Sequence, residues 1–211
     1  KLAALEMLSD ADMVAQMRAG MTNPAAPTGS VEAILHAALP FAFVDHTHAN
    51  AILALTNNDH GEARVKEVYG DRVIVVPYIM PGFVLARKVY ELIQSQDFSK
   101  IEGMVLMNHG IFSFANTAKE SYDRMISLVA EAEAFISSKC AGYEFPKAEP
   151  ADLNLVKLAQ LRSEVSETAK QAMIARFDGS SEAAGFAQLD KVADIAGRGP
   201  VTPDHVIRTK R

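Results

Sequence analysis

Two histidines at i and i+2, His46 and His48, close the apolar run Phe41-Ala42-Phe43-Val44-Asp45, and a third, His109, follows a second such run from Gly103 to Asn108. Apolar residues leading into H-x-H read as a buried strand whose two-residue period turns both imidazoles to one side. Imidazole is the commonest protein ligand for divalent transition metals, and a strand that already holds two of them lowers the ordering cost of a site. Three imidazoles delivered by two strand ends predict an open metal centre with a position left for water or substrate. Each block alone has an ordinary explanation, a surface strand end for H-x-H and a tight turn for His109-Gly110. Their pairing after two apolar runs favours the metal.

A cation that holds adjacent hydroxyl and carbonyl oxygens polarises them, and the chemistry then lacks only a group to move protons. Glu32 is the nearest candidate. It stands in the first turn of a helix predicted over 31–39, capped by Ser30 and closed by Pro40, which runs directly into the histidine strand. A carboxylate in a first helical turn also favours the helix dipole and needs no further role. Tyr78, after the apolar run Val73-Ile74-Val75-Val76 and Pro77, is a second candidate for proton transfer or substrate contact. His36, one turn after Glu32, reads as a core histidine, and His60 in a polar loop reads as a surface residue. Asp45 should face away from His46. His205, in Pro203-Asp204-His205, has no position assignable from the pattern.

The elements that must position these groups alternate through the first two thirds of the chain. Ser9-Asp10 opens a short amphipathic helix, and Pro24 and Pro27 mark a loop. A helix through 51–55, a short exposed helix over 61–69 and a buried strand over 73–76 follow. Val84, Leu85, Val89, Leu92 and Ile93 repeat at helical spacing after Pro81-Gly82. Strands over 103–107 and 111–114 flank His109-Gly110, and the capping box Thr117-Ala118-Lys119-Glu120 opens a helix to about 138. Cys140 lies in that helical pattern, where packing is its expected role. Beyond Pro146 the pattern is helical only: Leu153, Val156, Leu158, Leu161 and Val165 mark one helix, and Phe186, Leu189, Val192 and Ile195 another. The expected division is an α/β domain over 1–145 and a helical extension over 146–211.

With 211 residues, 49% hydrophobic and 22% charged, the chain has an ordinary globular composition. A net charge of -5 argues against nucleic acid as a partner. No apolar run approaches the roughly 20 residues that span a bilayer, so no membrane partner is expected. No signal-like segment opens the chain and its single cysteine cannot form an internal disulfide, so the cytoplasm is the expected location. The chain opens at Lys1-Leu2 without an initiator methionine, and a partial reading frame is expected. Asp45-His46-Thr47-His48 also fits the D-x-H-x-H strand ending of barrel amidohydrolases. Eight β/α units need well over this length and further histidines on later strands, so that reading is set aside.

Three blocks together, Gly29-Ser30-Val31-Glu32-Ala33-Ile34-Leu35-His36, Val44-Asp45-His46-Thr47-His48 and Met107-Asn108-His109-Gly110-Ile111, resemble the class II aldolase/adducin family in order and context. Leu5 to Asp10, Leu53 to Asn57, Val76-Pro77-Tyr78, Pro81-Gly82-Phe83 and Gly199 to His205 look like the subgroup of rhamnulose-1-phosphate aldolase/alcohol dehydrogenases. In that subgroup a dehydrogenase domain follows.

The resemblance implies a three-layer α/β/α sandwich around a mixed, mostly antiparallel sheet, assembled as a homo-oligomer, usually a tetramer. It implies Zn2+ held by His46, His48 and His109, with Glu32 as acid/base and a tyrosine, Tyr78 or one from a neighbouring subunit, serving the other fragment. Ser30 matches a phosphate-contacting position, while Val31 stands where a second serine is common and the family's upstream phosphate loop has no counterpart. The implied activity is that of an aldehyde-lyase, which cleaves a sugar or sugar phosphate, a ketose 1-phosphate by expectation, through an enediolate. A pentulose-phosphate 4-epimerase and a non-catalytic adducin-like interaction module are the alternatives.

Overall fold

The computed structural model describes residues 7–144, 146–149 and 152–209. The chain divides into two compact units, Lys1–Cys140 with Pro200–Arg211, and Ala141–Gly199. The end of the chain thus groups with the α/β unit rather than with the helices that precede it.

In the first unit, α1 (Asp10–Ala19) starts where the Ser9 hydroxyl accepts a hydrogen bond from the Asp12 amide. Next, α2 (Ala33–Ala38) is shorter than the predicted 31–39. The Ser30 hydroxyl accepts from the Glu32 amide at 3.1 Å and the Ala33 amide bonds to the Ser30 carbonyl, so a tight turn occupies the expected first helical turn. At the other end Leu39 is extended, ψ 133°, as a residue before proline tends to be. Strand β1 (Phe43–Thr47) is displaced two residues toward the C-terminus from the expected 41–45, which brings His46 into the sheet.

The chain continues through α3 (Asn50–Thr56), α4 (Gly61–Tyr69), β2 (Val73–Val76), α5 (Phe83–Ile93), β3 (Gly103–Leu106), β4 (Gly110–Ala115) and α6 (Ala118–Lys139). The sheet order is β1-β4-β3-β2, with β1/β4 and β4/β3 antiparallel and β3/β2 parallel. It is mixed and mostly antiparallel.

Strand alternation sorts the core onto the two faces. Met104, Leu106, Phe112 and Phe114 face α2 and α5, where Leu35, Leu85 and Val89 meet them. Val105 and Ile111 face Ile52, Leu55, Val65, Tyr69 and Leu128 of α3, α4 and α6. Helices on both sides of one sheet make the three-layer sandwich. Each fully buried Leu, Val or Phe contributes about 1.5–3 kcal/mol. The α4 helix is less exposed than its sequence suggested, since Val65 and Tyr69 are core residues. Only half of the expected capping box forms at α6: the Thr117 hydroxyl accepts from the Glu120 amide, while the Glu120 carboxylate turns to Arg124 at 2.7 Å. Cys140, expected to pack, is exposed at the end of α6.

The second unit contains α7 (Leu155–Ala169), α8 (Ser181–Ala187) and α9 (Val192–Ala196). The single helix expected through Phe186, Leu189, Val192 and Ile195 is broken. Those residues recur strictly every three positions, and the chain follows that spacing with i→i−3 bonds from Leu189 to Phe186 and from Val192 to Leu189. Finally α10 (Pro203–Thr209) belongs with the first unit. Among the described residues no helix is long and apolar enough to cross a membrane.

Candidate metal centre

His46 is set by the sheet. It pairs in register with Phe112 of β4, and its ring stacks on the Phe112 ring at 4.0 Å and 17°. Its Nδ1–H donates to the Ile111 carbonyl at 2.9 Å, so its Nε2 carries the lone pair. Thr47 points to the other face, its hydroxyl on the Met125 sulfur, and His48, one residue past the end of β1, returns to the His46 side. His109 is in the turn from β3 to β4, where the amide of His109 bonds to the Leu106 carbonyl. Asn108, just before it, takes φ 58°, a left-handed conformation that Asn tolerates better than most residues. The next residue has to be glycine: a Cβ on Gly110 would lie 2.4 Å from the Thr47 carbonyl oxygen and about 3 Å from both the His46 and His48 rings.

Glu32 reaches the same point from the turn before α2. Its Oε1 is 2.7 Å from His109 Nε2 and 3.4 Å from His46 Nε2, and His46 Nε2 is 3.0 Å from His48 Nε2. One donor atom from each of Glu32, His46, His48 and His109 lies within 4.8 Å of the others. Burial pushes the Glu32 carboxyl up, but its hydrogen bond with His109 and the closeness of the His46 ring outweigh it and hold the group well below the usual carboxylate range.

The donor chemistry fits a divalent cation. The Nδ1–H of His48 donates to the Asp204 carboxylate at 2.7 Å, which leaves its Nε2, like that of His46, with an in-plane lone pair. Two such lone pairs facing each other at 3.0 Å repel unless a proton or a cation lies between them. Three imidazoles and a carboxylate are the donors that zinc and similar metals take. His109 is 4% exposed and its Nδ1 has no hydrogen-bond partner among the described residues, so this imidazole is held by its contact with Glu32 and by packing.

The structure therefore brings together Glu32, His46, His48 and His109. Ser30 is exposed beside them, its hydroxyl engaged with the Glu32 amide and within 3.5 Å of the Glu32 carboxylate. Tyr78 is not part of the group: it is 56% exposed in the loop after β2 and, among the described residues, makes no hydrogen bond to the cluster. His36 packs edge-on against Phe112 on the core side of α2, and His60 is exposed. His205 turns its ring to the Thr202 hydroxyl. Sequence reasoning missed Asp204. The two partners of the His48–Asp204 bond are 156 residues apart, and only the proline-acid start of a short helix marked the place.

Residues 3–136 match the family of class II aldolase and adducin N-terminal domains, and residues 153–211 match the second domain of class II aldolases. The chain is 28% identical over 215 residues to the uncharacterized oxidoreductase YuxG of Bacillus subtilis, covering 98% of this chain and 31% of that protein. It thus spans about a third of that relative's length. A structure of the N-terminal class II aldolase domain of a conserved protein from Thermoplasma acidophilum superposes with a TM-score of 0.58 at 43% identity, over 64% of this chain and 61% of the other.

Proposed function

Since the chain belongs to the class II aldolase and adducin family, we infer that its cluster of three histidines and a glutamate serves retro-aldol cleavage of a ketose, with one zinc ion per chain. The observation that carries this reading is the convergence of four donor atoms, one from each of Glu32, His46, His48 and His109, within 4.8 Å. His46, His48 and His109 would hold the cation. When bound, it would act as a Lewis acid toward the adjacent carbonyl and hydroxyl oxygens of the ketose and stabilise the negative charge that develops there.

The rest is done by the chain's own groups. In this reading Glu32, hydrogen-bonded to His109 and beside His46, takes up and returns the proton on the carbon next to the substrate carbonyl. The stacked Phe112 ring and the Ile111 carbonyl fix His46, so the centre is organised before substrate arrives. Ser30, exposed next to Glu32, is the group in this reading that meets a substrate phosphate, and a tyrosine, Tyr78 or one from a neighbouring subunit, moves the proton on the other fragment's oxygen. The chain also self-associates in this reading, as a tetramer by resemblance. The exposed apolar residues Leu155, Val156 and Leu161 of α7 favour association.

Glu32→Gln tests the assignment. The substitution keeps shape and hydrogen bonding but removes proton transfer, so turnover of a ketose phosphate should fall by roughly 10²–10⁴ with zinc content unchanged. Near-normal turnover would reduce Glu32 to a carboxylate that holds His109 without moving protons.

A further inference from the structure

We propose that Asp204 is a positioning residue for the metal centre, so that the last helix of the chain, α10, is a working part of a site otherwise built by the sheet. The proposal rests on the metal reading above and concerns a residue that lies outside the four donors. The three imidazoles differ in what holds their outer nitrogen. His46 donates from Nδ1 to a main-chain carbonyl, that of Ile111, which no side-chain substitution removes. The Nδ1 of His109 has no hydrogen-bond partner among the described residues. His48 alone depends on a distant side chain, donating from Nδ1 to Asp204 Oδ2 at 2.7 Å.

A carboxylate on the outer nitrogen of a ligating imidazole fixes its tautomer, aims Nε2 at the centre and makes that nitrogen a better electron-pair donor. His48 needs this most, because it stands past the end of β1 where the ladder no longer holds its backbone.

Asp204 is itself held in place. Thr202 is buried, its hydroxyl accepts from the His205 amide, and the Val206 amide bonds back to the Thr202 carbonyl. One step earlier, Asn57 at the end of α3 donates to the Val201 carbonyl at 3.0 Å. Residues 201–204 are therefore tied at both ends of their path, to α3 at Val201 and to His48 at Asp204. Asp204 is 61% exposed, and an exposed pair of this kind adds little to folding stability. Its effect should appear in metal affinity, with the stability of the metal-free chain unmoved.

The experiment is zinc competition against a chromophoric chelator, using the full chain and its Asp204→Ala and Asp204→Asn variants. Loss of such an outer partner typically weakens metal affinity by about 10–100-fold. Asp204→Ala should fall in that range with one zinc still bound at saturation, Asp204→Asn should fall less, and the melting temperature of the metal-free forms should match the parent. Affinity in Asp204→Ala within about twofold of the parent overturns the proposal and leaves the metal reading standing. A parent chain that takes up no zinc overturns the metal reading first. If the variants do not fold, the parent alone suffices. Coupling is reciprocal, so zinc should slow hydrogen exchange at the His205 and Val206 amides, and no change there overturns the proposal.

Discussion

In the α/β unit every residue of β3 and β4 is buried, whereas α7, with Leu155, Val156, Leu161 and Val165 at helical spacing, buries none of its residues. Both segments carry a clear apolar pattern. The strands find helices on both faces of the sheet, and their large apolar side chains, from Met104 to Leu106 and at Ile111, Phe112 and Phe114, land in one or other of two cores. Periodicity in α7 specified a helix and a face, and the Asn154 side chain caps it at the Lys157 amide, but what covers an apolar face is decided by elements far away in sequence. The metal centre belongs to the first kind of region, where local pattern and tertiary cover agree.

One pair of substitutions makes that contrast quantitative. Phe112→Ala removes a fully buried ring that stacks on His46 and packs against His36, and should cost about 3–5 kcal/mol of unfolding free energy in denaturant titration. It should also loosen zinc, because His46 loses the surface that orients it. Leu161→Ala in α7 marks the opposite extreme and should stay within about 0.5 kcal/mol of the parent under dilute conditions. A large loss from Leu161→Ala under those conditions would mean that α7 is covered in solution. Sedimentation at rising concentration would then ask whether a second copy of the chain is the cover.

Between these extremes, Gly110→Ala probes the closeness of the two strand ends. Its methyl would meet the Thr47 carbonyl and the two rings, so β1 and β4 must part and the donor atoms spread. Zinc affinity should drop by at least about tenfold, with a smaller effect on folding, and retained affinity would show that the hairpin yields without moving His46 or His48.

A smaller effect is set by pH on the other face of the sheet. Tyr69 donates its hydroxyl to the Leu128 carbonyl at 2.6 Å. Burial first, and Glu131 second, push its ionisation above the ordinary tyrosine value, with Arg72 opposing. A group whose folded ionisation is raised stabilises the fold below its unfolded pKa, and that contribution declines as pH climbs above about 10. Stability should therefore slope downward on the alkaline side. Tyr69→Phe should flatten the slope while costing about 1 kcal/mol at neutral pH for the lost hydrogen bond. An unchanged slope would assign the alkaline loss to other groups.

What was legible in the sequence was what neighbours in sequence decide. The strand Val73–Val76 is bounded by its own apolar run and Pro77, and the Thr117 cap sits where the box placed it. The three histidines were visible because each closes an apolar run, and Glu32 because it stands just ahead of the histidine strand. The α2 start was misread because Ser30 closes a turn on the Glu32 amide instead of capping a helix from 31. The break between α8 and α9 was missed because a spacing of three suits an α-helix and a tighter turn equally. Asp204 was out of reach for a different reason: its partner His48 is 156 residues away, and nothing near either residue announces the other.

The most direct test of the metal centre is the zinc content of the purified chain after zinc is offered and excess removed, set beside the same measurement on His109→Ala. The account predicts one equivalent per chain in the parent and a large loss in the variant, since His109 is the donor that joins the second strand end to the first. Less than about a tenth of an equivalent in the parent, or undiminished zinc in His109→Ala, would contradict it.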